Sequence, residues 1–101
     1  MHINLEGKTA IVTGAGRGIG KGIAGAFASA GAKVIVNDVD LDAAEQVCRE
    51  IQDRGGFARP AKADVRVAGE ISEMVQMAVR DLGGIHVMVN NAGIILRKPA
   101  E

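Results

Sequence analysis

Apolar and amphipathic segments alternate along this chain. TAIVT (9–13) and KVIVND (33–38) are short, apolar and β-branched, which is typical of strands buried on both faces. IHVMVN (85–90) predicts a further strand, and FARPAKAD (57–64) a weaker one. The chain therefore offers four strands, each separated from the next by a longer segment of another pattern.

The three longer segments predict helices over residues 18–30, 41–54 and 68–82, because their apolar residues recur at helical spacing. Asp40 is placed to cap the second helix, and glycine follows each of them. The apolar stripes consist of Ile19, Ile23 and Phe27 in the first helix, Leu41, Ala44, Cys48 and Ile51 in the second, and Ile71, Met74, Val75, Ala78, Val79 and Leu82 in the third.

The order β-α-β-α-β-α-β predicts an α/β fold, a partial doubly wound (Rossmann) sheet. Helical crossovers require parallel strands, and such crossovers are right-handed in about 98% of cases. With the usual order 3-2-1-4, the third and fourth strands lie at the two edges. Pro60 lacks an N–H, and Arg59 and Lys62 are charged, so the third strand is suited to an edge. We expect a single domain over residues 1–101.

The fourth predicted strand has no such protection. Val87, Met88 and Val89 are consecutive, so both faces of this strand expect burial. No proline, lysine or bulge guards its outer side, as in a central strand with a missing neighbour. We expect a sheet cut in half, with self-association possible through residues 85–90.

A glycine-rich turn, TGAGRGIG (13–20), joins the first strand to the first helix. Phosphate requires close backbone approach and free N–H groups at a helix N-terminus, and glycine permits both. The spacing fits neither GxGxxG nor the P-loop. A plain strand-to-helix turn could use two of these glycines, but four glycines in seven residues favour phosphate binding. The candidate residues are Gly14, Gly16, Arg17, Gly18, Ile19 and Gly20.

Asp38 ends the second strand, 18 residues after Gly20. An acidic residue at about this distance is placed to accept hydrogen bonds from an adenine-ribose 2′-hydroxyl. The alternative is a solvated loop acid or a helix cap, for which Asp40 and Asp42 compete. A carboxylate would repel a 2′-phosphate, so NAD is favoured over NADP. Arg17 favours the opposite, since it could reach a 2′-phosphate, although it could equally touch the pyrophosphate or face solvent.

Further polar residues follow the third and fourth strands. Asp64 is placed either to meet the adenine edge or to cap the third helix, and the two interpretations are balanced. Asn90 and Asn91 follow the fourth strand, where buried amides usually tie loops together. Contact with the nucleotide would be an added role for these amides.

Composition excludes several classes. Zero net charge and two aromatic residues argue against nucleic acid as a partner, and no apolar run approaches the roughly 20 residues of a membrane span. Cys48 is the only cysteine, so no internal disulfide forms and a reducing cytoplasm fits. No His/Cys cluster has metal-binding spacing.

Together these residues resemble the N-terminal half of the short-chain dehydrogenase/reductase family. TGAGRGIG matches that family's TGxxxGxG turn and Asp38 its NAD-selecting acid. Asp64-Val65 matches its adenine-side Asp-Val pair, and NNAG, which includes Asn90, Ala92 and Gly93, its fourth-strand motif. A weaker likeness points to gluconate or sugar-acid dehydrogenases. The resemblance implies NAD as cofactor and hydride transfer between an alcohol or ketone and nicotinamide.

The chain departs from the family in its catalytic residues. The family uses Ser, Tyr and Lys, whereas this chain contains no tyrosine, and its serines, Ser29 and Ser72, fall on predicted helices. We therefore expect a truncated cofactor-binding portion that is inactive alone. The alternatives are a stand-alone adenine-nucleotide-binding module and an interaction protein that pairs through residues 85–90.

Overall fold

Seven elements form one parallel sheet with helices on both faces. The computed structural model describes residues 3–91. The elements are β1 (Thr9–Val12), α1 (Gly18–Ser29), β2 (Lys33–Asp38), α2 (Leu41–Asp53), β3 (Phe57–Lys62), α3 (Ala68–Leu82) and β4 (Val87–Val89). The strands are parallel in the order β3-β2-β1-β4. The predicted doubly wound sheet and the edge position of β3 are confirmed.

The core has two layers, one on each face of the sheet. On one face, Val12, Val34 and Val36 are fully buried against Ala24 of α1 and Ile51 of α2. The opposite face is smaller: there α3 packs Met74 and Ala78 over the fully buried Ile11 and Ile35. Because successive strand residues point to opposite faces, the consecutive apolar residues of β1 and β2 supply both layers.

The predicted apolar stripes extend further than the buried helix faces. Ile19 is 59% exposed and Val79 is 54% exposed, so neither lies in the core, contrary to the prediction. Leu41 is also partly exposed. Ile19 and Leu41 lie in the first turns of their helices, beyond the carboxyl ends of the strands, where the sheet provides no surface beneath them. Ile23 and Phe27 do pack against the core.

Three strands, β1, β3 and β4, are shorter than predicted, and side-chain hydrogen bonds lie at the end of β3 and at the start of β4. At the start of β4, the N–H of Thr9 donates to His86 Nδ1 at 2.9 Å, while the N–H of His86 donates to the Thr9 carbonyl at 2.9 Å. At the end of β3, Asn37 Nδ2 donates to the carbonyls of Ala61, within the strand, and Ala63, just beyond it, at 3.0 and 3.1 Å. An imidazole and an amide therefore mark these strand ends.

Strand β4 is the least covered part of the sheet. Within residues 3–91 it pairs with β1 alone. Met88 lies opposite the fully buried Ile11 but is itself 46% exposed, since α3 packs over other parts of that face. In the described part of the chain, no helix is long and apolar enough to cross a membrane.

Candidate functional site

Three loops meet beyond the carboxyl ends of the parallel strands and form a cleft. Its volume is about 320 Å³. In doubly wound sheets, ligands bind in the crevice at this edge, where neighbouring crossovers leave in opposite directions. The cleft is lined by Gly14, Asn37, Asp38, Val39, Ala63, Asp64, Val65 and Arg66. The structure thus brings together sequence-predicted residues from the ends of three strands.

The glycines of the turn have two separate structural roles. Gly14 and Gly18 have φ angles of 61° and 60°, a left-handed conformation that disfavours side chains. Gly16 and Gly20 are needed for space. A Cβ on Gly16 would lie 2.7 Å from Asp38 Oδ2, and one on Gly20 would lie 2.2 Å from the Gly14 carbonyl oxygen. Each of the four predicted glycines therefore has a local physical reason.

The N-terminus of α1 offers backbone donors to a ligand. Its N-cap residue, Arg17, has an extended backbone and makes no side-chain capping bond. The first helical bond runs from the N–H of Lys21 to the Arg17 carbonyl at 3.2 Å. The preceding N–H groups have no intrahelical acceptor and carry the positive end of the helix dipole. This arrangement suits an anion such as a pyrophosphate.

Asp38 is held at the glycine-rich turn by backbone donors. Asp38 is only 8% exposed. Oδ2 accepts a hydrogen bond from the N–H of Gly16 at 2.9 Å, and Oδ1 accepts one from the N–H of Asp40 at 3.0 Å. A carboxylate has about four acceptor positions, so two remain for a ligand. Asp38 therefore has both the location and the spare acceptors that a ribose diol requires.

Arg17 forms an ion pair at the surface of the protein. Its Nη2 lies 3.0 Å from Asp40 Oδ2, with the two side chains 71% and 47% exposed. The same Asp40 side chain accepts a hydrogen bond from the N–H of Ala43, which confirms it as the N-cap of α2. The guanidinium thus spans from the glycine-rich turn to the start of α2.

Asp64 is engaged by Arg66 at the rim of the cleft. Arg66 donates to its carboxylate from the backbone N–H, Nε and Nη2, at distances of 2.8 to 3.0 Å. These side-chain and backbone hydrogen bonds lower the pKa of Asp64 to about 2. The helix-cap interpretation of Asp64 is wrong, because the N-cap of α3 is Val67. The carboxylate of Asp64 accepts hydrogen bonds from Arg66 instead. Val65 lies beside it in the lining of the cleft.

The asparagines after β4 tie this strand to the glycine-rich turn. Asn91 Nδ2 donates to the Gly14 carbonyl at 3.1 Å. Thr13 Oγ1 lies 3.3 Å from both Asn90 Oδ1 and the Val89 carbonyl oxygen. The loop-tying role expected from the sequence is therefore observed. Ala92 and Gly93, the rest of the NNAG motif, lie outside the described residues.

Asn37 is a structural residue of the site that the sequence interpretation missed. It is 1% exposed, its carbonyl accepts from the N–H of Ala15 at 2.7 Å, and its side-chain amide donates to two carbonyls at the end of β3. It thereby fastens the glycine-rich turn to the opposite wall of the cleft. The available signal was an amide between the apolar run VIV (34–36) and Asp38.

Other features of the described residues lie apart from this cleft. A groove of about 410 Å³ runs between α1 and α2, lined by Gly22, Gly25 and the Lys21–Glu50 ion pair among others. This groove lies along α1 and α2. The backbone N–H groups suited to an anion lie instead at the N-terminus of α1, beyond the carboxyl ends of the strands. Burial raises the pKa of the Cys48 thiol to about 11. Residues 3–91 contain no group of three or more His, Cys, Asp or Glu that could hold a metal ion.

Comparison with known proteins decides the family. A family model described as short chain dehydrogenase matches residues 8–101. The chain belongs to the short-chain dehydrogenase family. Among curated short-chain dehydrogenases, it is 48% identical over 92 residues to a 7alpha-hydroxysteroid dehydrogenase from Escherichia coli strain K12. It is 44% identical over 99 residues to a hydroxynaphthalene reductase-like protein from Metarhizium acridum.

Solved structures of the short-chain dehydrogenase family share the fold. One is a 7 alpha-hydroxysteroid dehydrogenase in complex with NADH and 7-oxo glycochenodeoxycholic acid, with a TM-score of 0.85 and 46% identity. Another, from Mycobacterium marinum, has a TM-score of 0.87 and 42% identity. These two matches cover 88% and 94% of this chain but only 35% and 38% of the other chains. The chain likewise spans 36% of the Escherichia coli relative's length.

Proposed function

We propose that this chain is the dinucleotide-binding portion of an NAD-dependent short-chain oxidoreductase. The observation that carries the proposal is the joint geometry of the glycine-rich turn and Asp38. The turn presents uncapped backbone donors for a pyrophosphate, and the nearby carboxylate of Asp38 keeps acceptor positions for a ribose. A relative of 46% identity has been solved with NADH bound, which supports a nicotinamide dinucleotide as the ligand.

The proposed roles follow the position of each residue. Gly14, Gly16, Gly18 and Gly20 allow the pyrophosphate to approach the backbone, with Ile19 and Arg17 at the helix start. Asp38 holds the adenine ribose, and Asp64 with Val65 meets the adenine. Asn90 contributes at the end of β4. Ala92 and Gly93 keep the role in cofactor binding that the family motif implies.

We propose NAD as the preferred cofactor, with NADP as the weaker ligand. The Asp38 carboxylate would face any phosphate on the ribose 2′-oxygen, and like charges at this distance repel. The positive charge of Arg17, which could offset this repulsion, is already paired with Asp40. A cytoplasmic location is part of the same proposal, supported by the unpaired, buried Cys48.

The reaction of the whole protein is proposed to be hydride transfer involving an alcohol or ketone. Bound nicotinamide supplies or accepts the hydride. The chain's own residues bind and orient the adenosine end, whereas proton transfer in the family depends on a tyrosine, which this sequence does not contain. We therefore propose that the 101-residue chain binds the cofactor without turning over substrate.

Titration calorimetry of the purified chain with NADH, NADPH and ADP tests the proposal. We expect NADH to bind more tightly than NADPH and ADP to compete nearly as well as NADH, because the recognised contacts lie at the adenosine end. Asp38→Ala should reduce the preference for NADH by about tenfold, since a charge-assisted hydrogen bond contributes roughly 1.5–3 kcal/mol.

Asp53→Ala is the matched control, because Asp53 is an exposed aspartate in the last turn of α2. It should leave both affinities unchanged. Failure of the unmodified chain to bind either NADH or ADP would overturn the proposed function. Binding with equal affinity for NADH and NADPH would retain the dinucleotide site but remove Asp38 as the selecting residue. Alcohol-dependent reduction of NAD by this chain would contradict the proposed lack of turnover.

A further inference from the structure

The side chain of Asp40 divides its two oxygens between two tasks. Oδ1 accepts a hydrogen bond from the N–H of Ala43 at 3.2 Å and so caps α2. Oδ2 lies 3.0 Å from Arg17 Nη2. A serine could retain the first interaction, since serine is also a preferred N-cap, but would lose the second. The capping task and the arginine contact can therefore be separated by one substitution.

The glycine-rich turn and the start of α2 are in close contact at this point. A Cβ on Gly16 would lie 2.9 Å from Ala43 Cβ and 2.7 Å from Asp38 Oδ2. Asp38 in turn accepts a hydrogen bond from the N–H of Asp40. Asp40 therefore contacts both the Arg17 guanidinium, through its side chain, and the Asp38 carboxylate, through its backbone N–H.

The charge of Arg17 makes this position important for cofactor choice. A guanidinium forms strong hydrogen bonds with phosphate, and a free arginine next to the ribose would offset the repulsion from Asp38. In the described structure its bonded side-chain partner is Asp40, and both side chains are accessible to solvent. An exposed ion pair of this kind is weak. A ribose 2′-phosphate would therefore compete with Asp40 for the Arg17 guanidinium, and the negative charge of Asp40 would also repel that phosphate.

We infer that Asp40 is a second specificity-determining residue, which disfavours NADP by pairing with the Arg17 guanidinium and so competing with a ribose 2′-phosphate for it. This inference rests on the proposed function. Asp38 acts directly on the ribose, whereas Asp40 is a positioning residue that acts through Arg17. The sequence motif alone would assign cofactor choice to Asp38 and leave Arg17 ambiguous.

The test compares NADH and NADPH affinities of the full chain and its Asp40→Ser variant by titration calorimetry. Serine keeps the helix cap and frees Arg17. We expect the affinity for NADPH to rise by about fivefold, the range of an exposed charge pair, and the affinity for NADH to change by less than about twofold. Adding Arg17→Met to Asp40→Ser should abolish the gain, because the gain requires the guanidinium.

Asp42→Ser is the matched control. Asp42 is an exposed acid in the first turn of the same helix, so its removal changes the net charge equally without touching Arg17. Equal shifts in Asp40→Ser and Asp42→Ser, or a gain that survives Arg17→Met, would overturn the role of Asp40 while leaving nucleotide binding intact. Absence of NADH binding in the unmodified chain would overturn the proposed function and this inference together.

Discussion

Gly20 and Gly22 lie two positions apart in α1, yet their surroundings differ completely. A Cβ at Gly20 would lie 2.2 Å from the Gly14 carbonyl oxygen and 2.6 Å from Asn91 Nδ2. A Cβ at Gly22 would meet nothing within 4 Å, and its φ is not positive. Glycine is therefore required by space at the first position and is a conformational cost at the second.

We expect Gly20→Ala to lower the free energy of unfolding by about 1–3 kcal/mol, because the Gly14 carbonyl and the glycine-rich turn must move. Gly22→Ala should raise the free energy of unfolding by about 0.5–1 kcal/mol, the usual difference between glycine and alanine inside a helix. Urea unfolding of both variants measures the two signs. Similar changes in the two variants would show that the turn does not pack closely on α1.

Strands β1 and β4 meet through an imidazole at the start of their ladder. Thr9 is 1% exposed, and its N–H donates to His86 Nδ1 across a sequence separation of 77 residues. Among the described residues, Thr9 Oγ1 has no partner. The ring nitrogen is thus the acceptor for the buried N–H of Thr9, a residue whose hydroxyl already lacks a partner among the described residues.

Loss of this acceptor should destabilise the joint between β1 and β4. We expect His86→Ala to lower the free energy of unfolding by about 1–3 kcal/mol, the cost of leaving a buried donor unsatisfied. His86→Asn should retain most of the stability, because its side-chain oxygen can occupy the place of Nδ1. Hydrogen exchange at the Thr9 amide gives a local readout, and equal protection in the alanine and asparagine variants would contradict the role of the ring.

The elements could be predicted because their signals are local. Consecutive β-branched residues marked β1 and β2, and the glycines marked the turn between β1 and α1. The contact of Arg17 with Asp40 could not be predicted, since 23 residues separate them and the pairing depends on how the turn meets α2. The role of Asn37 likewise depends on the register of β2 with β3, which places its amide beside Ala61 and Ala63.

Across the whole molecule, the sheet is covered unevenly. Helices α1 and α2 bury one face, whereas α3 leaves Met88 of β4 46% exposed beside the fully buried Ile11. Within the described residues, the outer side of β4 also pairs with no other strand. An apolar strand with free N–H and C=O groups is a template for pairing with another chain. We therefore propose that the chain self-associates through β4.

We expect Met88→Lys to reduce self-association, because it introduces a charge on the exposed face of β4. Val67→Lys is the matched control, since Val67 is 44% exposed and lies at the start of α3 rather than on β4. Sedimentation velocity over a range of concentrations measures the oligomer content. A concentration-independent monomer for the unmodified chain, or equal effects of the two lysines, would show that β4 is not the association surface.

Asn37 also bears on the rate at which the cleft beyond the carboxyl ends of the strands would bind the proposed nucleotide. Because its carbonyl holds Ala15 and its amide holds the exit of β3, the two walls of the cleft share one anchor. For the proposed adenosine site, we expect this anchor to reduce the conformational entropy that the two walls lose on binding. For the proposed nucleotide we therefore expect an association rate set by diffusion and orientation rather than by a slow rearrangement of the protein.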